Sequence, residues 1–171
     1  MVRPGALCLL AALAGPGLAR ADGIVGPDRY VGVILGSDHI GSAHLNNVNP
    51  GLTYGRIWPT ARPGVNYFVE GGVFYNSYRE ISPLLVAGVA VDVGSIGPVR
   101  FRVGVEAGTA YYKTLAGELK RDYGIPNLGG FIPIVGLSLS AQVRQTEFRL
   151  TTVPAGRNVK AIINLSVAQH F

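Results

Sequence analysis

The chain has 171 residues, of which 24 are glycine; 48% are apolar and only 15% charged. Its formal net charge is +5, and setting aside Arg3 and Arg20 in the first 21 residues leaves 13 basic against 10 acidic residues. That balance argues against a nucleic-acid binder, and no segment after residue 21 approaches the ~18 consecutive apolar residues of a membrane helix.

The chain opens with MVRPGALCLLAALAGPGLARA. Arg3, the apolar run 6–14 and the small-x-small triplet Ala19-Arg20-Ala21 read as a secretory signal peptide, too short to span a bilayer. Cys8, the one cysteine, falls inside it. The expected mature chain, residues 22–171, therefore offers no disulfide, thiol nucleophile or cysteine metal site. Its length suits one domain.

The apolar residues after this segment alternate instead of clustering. Period-two patterns predict strands over 30–37, 49–58, 65–75, 84–93, 99–112, 131–141 and 146–154, and a closing strand that ends at Phe171. VRFRVGVEAGTAYY, residues 99–112, is the clearest. Val99, Phe101, Val103, Val105, Ala107, Thr109 and Tyr111 share one face, while Arg100, Arg102, Glu106 and small residues occupy the other. In the closing strand Ile163, Leu165, Val167 and Phe171 oppose Ile162, Asn164, Ser166, Ala168 and His170. No run has a convincing helical period.

Connections alternate in length. Links 59–64, 94–98 and 142–145 are short; 38–48, 76–83 and 113–130 are long; 156–158 breaks the alternation. Eight apolar strand faces exceed what one small soluble core can bury. In lipid every backbone N–H and C=O must pair internally, so the sheet must close. The expected fold is all-β: an eight-stranded antiparallel outer-membrane β-barrel with short periplasmic turns and longer outer loops. A soluble lipocalin-like barrel or sandwich, with its apolar face inward, is the alternative. The terminal Phe171 is similar to the ending that the outer-membrane assembly machinery reads in such barrels. Glu70, Asp92, Arg102, Glu106 and Arg149 fall on inner faces and are expected to pair across the lumen. His170, near the periplasmic end, is expected to be structural.

The chain carries no P-loop, HExxH, GxSxG or metal-ligand spacing, so no metal or cofactor is expected. The remaining chemistry lies at the outer rim. His39 and His44 sit in the first long loop, and Ser77 in the second, within FYNSYREISPLLVAG. Histidine can serve as base for a serine nucleophile when a third group orients it; Asn76, Asp38 and Glu80 are candidates. The plain alternative is a serine and a histidine solvated in polar loops.

At these residues the chain resembles the outer-membrane lipid A palmitoyltransferases, from about residue 30 to 171. The resemblance is carried by Asn76-Ser77, Pro83 and Ala87-Gly88, and by His39 ahead of Asn46, Asn47, Asn49 and Pro50. It is also carried by the IPI and VPAG segments and by Phe171. It implies an eight-stranded barrel that moves a fatty acyl chain from phospholipid to lipid A, with His39 and Ser77 as the catalytic pair and Asn76 beside them. Asn76 stands where the family has an acidic residue. Gly88 would leave space where the acyl chain ends its descent. Pro50, Pro133 and Pro154 would lie near gates between strands, where a missing N–H opens the ladder. The implied partners are membrane lipids, and a monomer without nucleic acid is expected. The family's helix before the first strand has no counterpart in residues 22–29, and its first-strand proline is absent, with Ile34 near its place. A non-catalytic barrel that binds lipid or stabilises the envelope is the main alternative. A lipid A deacylase ranks lower, because Ser37-Asp38-His39 reverses its order of histidine and serine.

Overall fold

The computed structural model describes residues 28–41, 46–113, 116–154 and 161–171. The strands are β1 Asp28–Ile40, β2 Gly51–Pro59, β3 Val65–Tyr75, β4 Ile81–Ile96, β5 Val99–Tyr111, β6 Phe131–Val143, β7 Thr146–Pro154 and β8 Ala161–His170; one helix, α1, covers Ala116–Tyr123. Each strand pairs antiparallel with the next, and β1 pairs with β8, closing an eight-stranded barrel. The expected signal peptide, His44 and the link 156–158 lie outside the described residues.

The period-two faces point as their chemistry requires. Val103 and Val105 on β5, Leu137 and Leu139 on β6, Leu150 on β7 and Leu165 on β8 are all exposed. Leu52, Tyr54, Tyr67 and Leu85 continue the belt over β2, β3 and β4. A belt of this extent is untenable in water and is the solvated face in hydrocarbon. The barrel is therefore of the bacterial outer-membrane type, and a soluble barrel with an inward apolar face is excluded.

The lumen holds the charges. Arg149 reaches Glu70 at 2.8 Å and Glu147 at 3.1 Å. Arg102 donates to Glu147 at 3.4 Å and lies 3.3 Å from Asp92. The latter pair lacks hydrogen-bond alignment and is a charge contact only. His170 bridges Asp28 and Glu147 at 2.7 and 2.8 Å, which gives it the structural role expected. Tyr30 donates to Glu70 at 2.6 Å, and its ring lies over Gly55, where a Cβ would meet ring carbon Cζ at 2.0 Å. Only glycine fits opposite that ring. Of the five lumen charges expected to pair, Glu106 makes no hydrogen bond or ion pair among the described residues.

The strands depart from the sequence expectation in three places. β1 runs to Ile40, so His39 belongs to the strand and not to the loop. β4 starts at Ile81 and contains Pro83, paired with Val73. The ladder from β4 to β5 begins only at Leu84, and Pro83 sits at this partly unpaired end, where a residue without an N–H is tolerated. α1 lies in the long loop after β5, where no helix was expected. Its eight residues are too few to print a clear period. Leu119 packs against Ala110 and Ile132, with Phe74, Tyr78, Tyr112 and Ile125 around it.

Two ladders stop short on the outer side. β1–β2 pairing ends at Ile34–Gly51, although β1 stays paired with β8 up to Ile40–Ala161. β6–β7 pairing ends at Leu137–Thr152, although β6 stays paired with β5 up to Tyr111–Phe131.

Candidate active site at the outer rim

His39 faces inward because of a bulge. Along β1, Tyr30, Gly32 and Ile34 point in, and strict alternation would turn position 39 out with Val31 and Val33. The register with β8 shifts between Ile34 and Gly36. The extra residue resets the parity, so Asp38 and Ile40 are exposed while Ser37 is half-buried and His39 only 5% exposed.

Ser77 reaches it across a missing strand end. β2 lies between β1 and β3, but it starts only at Gly51. The end of β1 and the β3–β4 loop therefore meet over a low point in the wall. Asn49 and Pro50 fill that gap. The Tyr75 N–H donates to the Pro50 carbonyl at 2.8 Å. The Asn49 amide donates to the Tyr75 carbonyl at 3.1 Å and to Ser77 Oγ at 3.2 Å. Ser37 Oγ donates to Asn49 Oδ1 at 2.5 Å, which fixes this amide's orientation.

Ser77 Oγ lies 2.8 Å from His39 Nε2. Donor counting sets the direction. Ser77 Oγ accepts from Asn49, so its one proton points to Nε2. Nδ1 of His39 lies 3.1 Å from Asn47 Oδ1, an oxygen that can only accept, so Nδ1 carries the ring proton. Asn47 Nδ2 in turn donates to Asp38 Oδ1 at 3.3 Å. The result is a one-way chain, Ser77 to His39 to Asn47 to Asp38. It has the nucleophile, base and orienting group of a serine-histidine site.

Asn76 does not join this chain. It is fully buried, its Oδ1 accepts the N–H groups of Tyr78 and Glu80 at 2.9 and 3.0 Å, and its Nδ2 donates to Ser82 at 3.0 Å. It organises the five-residue loop, including Arg79 at φ +68°. The expectation of Asn76 beside the pair is corrected on this point: the orienting group comes from Asn47. Asp38 acts one step removed, through Asn47.

The remaining residues implied by the resemblance are spread around the barrel. Gly88 leaves no room for an acyl end, because the Phe68 ring fills its place: a Cβ there would meet ring atoms at 2.7 Å. Pro50 borders the interrupted β1–β2 ladder. Pro133 lies on the interrupted stretch of β6, opposite Thr109, and lines an external groove of about 350 Å³ with Thr109, Pro126, Leu128 and Phe131. Pro154 ends β7, paired with Ala161. The Phe171 side chain is exposed, while its backbone exchanges hydrogen bonds with Arg29 at 2.9 and 3.4 Å. Beside the rim, Tyr112 stacks edge-on with Phe74 and Tyr78; burial pushes its phenol up to about 12, so it is neutral.

No protein-family model matches the chain, and no curated protein matches it. Among solved structures, the outer membrane protein Ail of Yersinia pestis in a phospholipid nanodisc is similar in outline, at 9% identity and a TM-score of 0.45, covering 85% of this chain and 99% of Ail. The fold therefore stands on the closed strand ladder itself, and the likeness to lipid A palmitoyltransferases stands only in the residues quoted above.

Proposed function

We propose that this barrel transfers a fatty acyl chain between lipids at the outer leaflet, from phospholipid to lipid A. One observation carries the reading: the hydrogen-bonded chain Ser77–His39–Asn47–Asp38 at the mouth of a lipid-embedded barrel. In this reading Ser77 Oγ attacks the donor ester carbonyl while His39 Nε2 takes its proton. The ester C–O bond breaks and His39 returns the proton to the departing lysophospholipid oxygen. A lipid A hydroxyl then attacks the acyl-serine, giving its proton to Nε2 and restoring Ser77. The interrupted β6–β7 ladder would let lipids approach from the side, since unpaired edges can part without breaking cross-strand bonds; the β1–β2 gap is instead bridged by Ser37–Asn47, Ser37–Asn49 and His39–Asn47 hydrogen bonds.

A second reading is a non-catalytic small barrel that binds lipid or stabilises the envelope. It draws on the lumen ion pairs, and on the placement of Asn76 as a loop organiser where a family acid would stand. Mass spectrometry of lipid A decides between them. Wild-type and Ser77→Ala barrels are expressed in a host without its own palmitoyltransferase. A gain of one acyl mass that disappears in Ser77→Ala is the expected result. A folded, outer-membrane-located wild type that leaves lipid A unchanged would overturn the transfer reading.

A further inference from the structure

At the end of the barrel away from Ser77, and independently of the acyl-transfer reading, the β1–β2 seam carries an unbalanced charge. Arg29 and Arg56 stand directly opposite each other in the ladder. Their flanking residues Tyr30, Gly55 and Ile57 turn into the lumen, so both arginines lie on the lipid-facing side. Like charges facing each other across a strand pair are destabilising. Neither guanidinium has a hydrogen bond or ion pair among the described residues, and Arg56 Nε is fully buried without a partner. Asp28, the acid next to Arg29, is turned inward to His170 at 2.7 Å. A Phe171 carboxylate oxygen lies beside Arg29, but it accepts from the backbone N–H there, at 3.4 Å.

Depth identifies the anion that such a pair requires. One outward row nearer the periplasm, Trp58 pairs with Tyr67, in the place of the periplasmic aromatic girdle. The Arg56 guanidinium lies over the Trp58 ring at 5.2 Å, a contact that holds the cation at headgroup level without neutralising it. The other outward neighbours, Val31, Tyr54 and Val69, carry no charge. At this boundary the abundant anion is the lipid phosphate, and guanidinium groups match phosphate oxygens with forked N–H donors. We infer that Arg29 and Arg56 form an exterior site for the phosphate of an anionic phospholipid in the periplasmic leaflet, with Trp58 and Tyr67 beside its glycerol region. The bound phosphate turns a repulsive pair into a bridged one and ties the β1–β2 seam to its boundary lipid.

The test is native mass spectrometry of the full-length barrel with phosphatidylglycerol and phosphatidylethanolamine of identical acyl chains. Wild type is expected to retain one phosphatidylglycerol in about tenfold preference, the scale set by two arginines near an anionic lipid. Replacing both, Arg29→Gln with Arg56→Gln, should bring the ratio to about one. Arg144→Gln, which removes an exposed arginine between β6 and β7, should leave it unchanged. An even ratio in wild type, a preference that survives the double substitution, or an equal loss in Arg144→Gln overturns the assignment. Wild type that holds inorganic phosphate as well as it holds the lipid would make this a free-anion site and also sink the proposal. Urea unfolding in an uncharged maltoside detergent, where no anion bridges the pair, gives a second readout. There Arg29→Gln is expected to raise the midpoint by relieving the repulsion, and a lowered midpoint would count against the site. Folding of each variant is read from heat-modifiable mobility.

Discussion

On the acyl-transfer reading, single amides decide the chemistry at the rim. Asn47 was visible in the sequence only as part of an asparagine-rich segment, because a contact between residues eight apart across an irregular loop leaves no period to read. Its oxygen fixes the His39 tautomer, and orienting groups of this kind matter through geometry. Asn47→Ala should therefore lower the initial rate of lipid A acylation by about tenfold or more, with Asn47→Asp retaining most of it. Asn76 makes the opposite prediction. Asn76→Asp keeps both N–H acceptor contacts and leaves the Ser82 hydroxyl free to donate, so acylation should stay within a few-fold of wild type. Asn76→Ala strands two loop donors and should cost about 1–3 kcal/mol, measured as a lower urea midpoint.

Strand β1 shows where pattern reading stops. Alternation located all eight strands and, on β5, assigned each face as the burial shows it. A bulge breaks the assumption that parity persists along a strand, and nothing in VILGSDHI announces the extra residue. Alternation alone ends the strand at residue 37 and leaves His39 in the loop, whereas β1 runs on to Ile40. The bulge makes a sharp forecast for cysteine scanning in a Cys8-free background. Cysteine at 38 or 40 should react quickly with a bulky maleimide, and cysteine at 37 or 39 slowly; an unbulged strand would show the reverse. Strand β2 contributes by being short: its late start at Gly51 lets β1 and the β3–β4 loop meet although they are not neighbours in the sheet.

Across the whole barrel, the charged lumen residues apart from Glu106 form one connected set. Glu70, Asp92, Arg102 and Arg149 were legible as inward from alternation. Glu147 shares the parity of Arg149 on the expected strand 146–154 and was equally legible. Arg149 joins Glu70 to Glu147, and Glu147 joins Arg102 and His170. Removing one partner leaves buried charge uncompensated, so Arg149→Met should cost about 3–5 kcal/mol, read from urea unfolding in detergent. Replacing Glu70 and Arg149 together with apolar residues of similar volume should cost less than Arg149→Met alone, because Glu147 keeps Arg102 and His170.

The seam between β1 and β8 joins the first strand to the last, and His39 takes its place through that seam, opposite Ile162. On the acyl-transfer reading, the base is therefore held by a piece of chain made more than a hundred residues after it. Until the final strand docks, His39 has no fixed direction relative to Ser77, and the proposed nucleophile lacks its activator. On that reading competence is tied to closure: the chain would not act on the lipids it passes on its way to the outer leaflet. During assembly in proteoliposomes, acylation should begin together with the heat-modifiable band shift that marks the closed barrel. Activity that precedes the shift would sever that link.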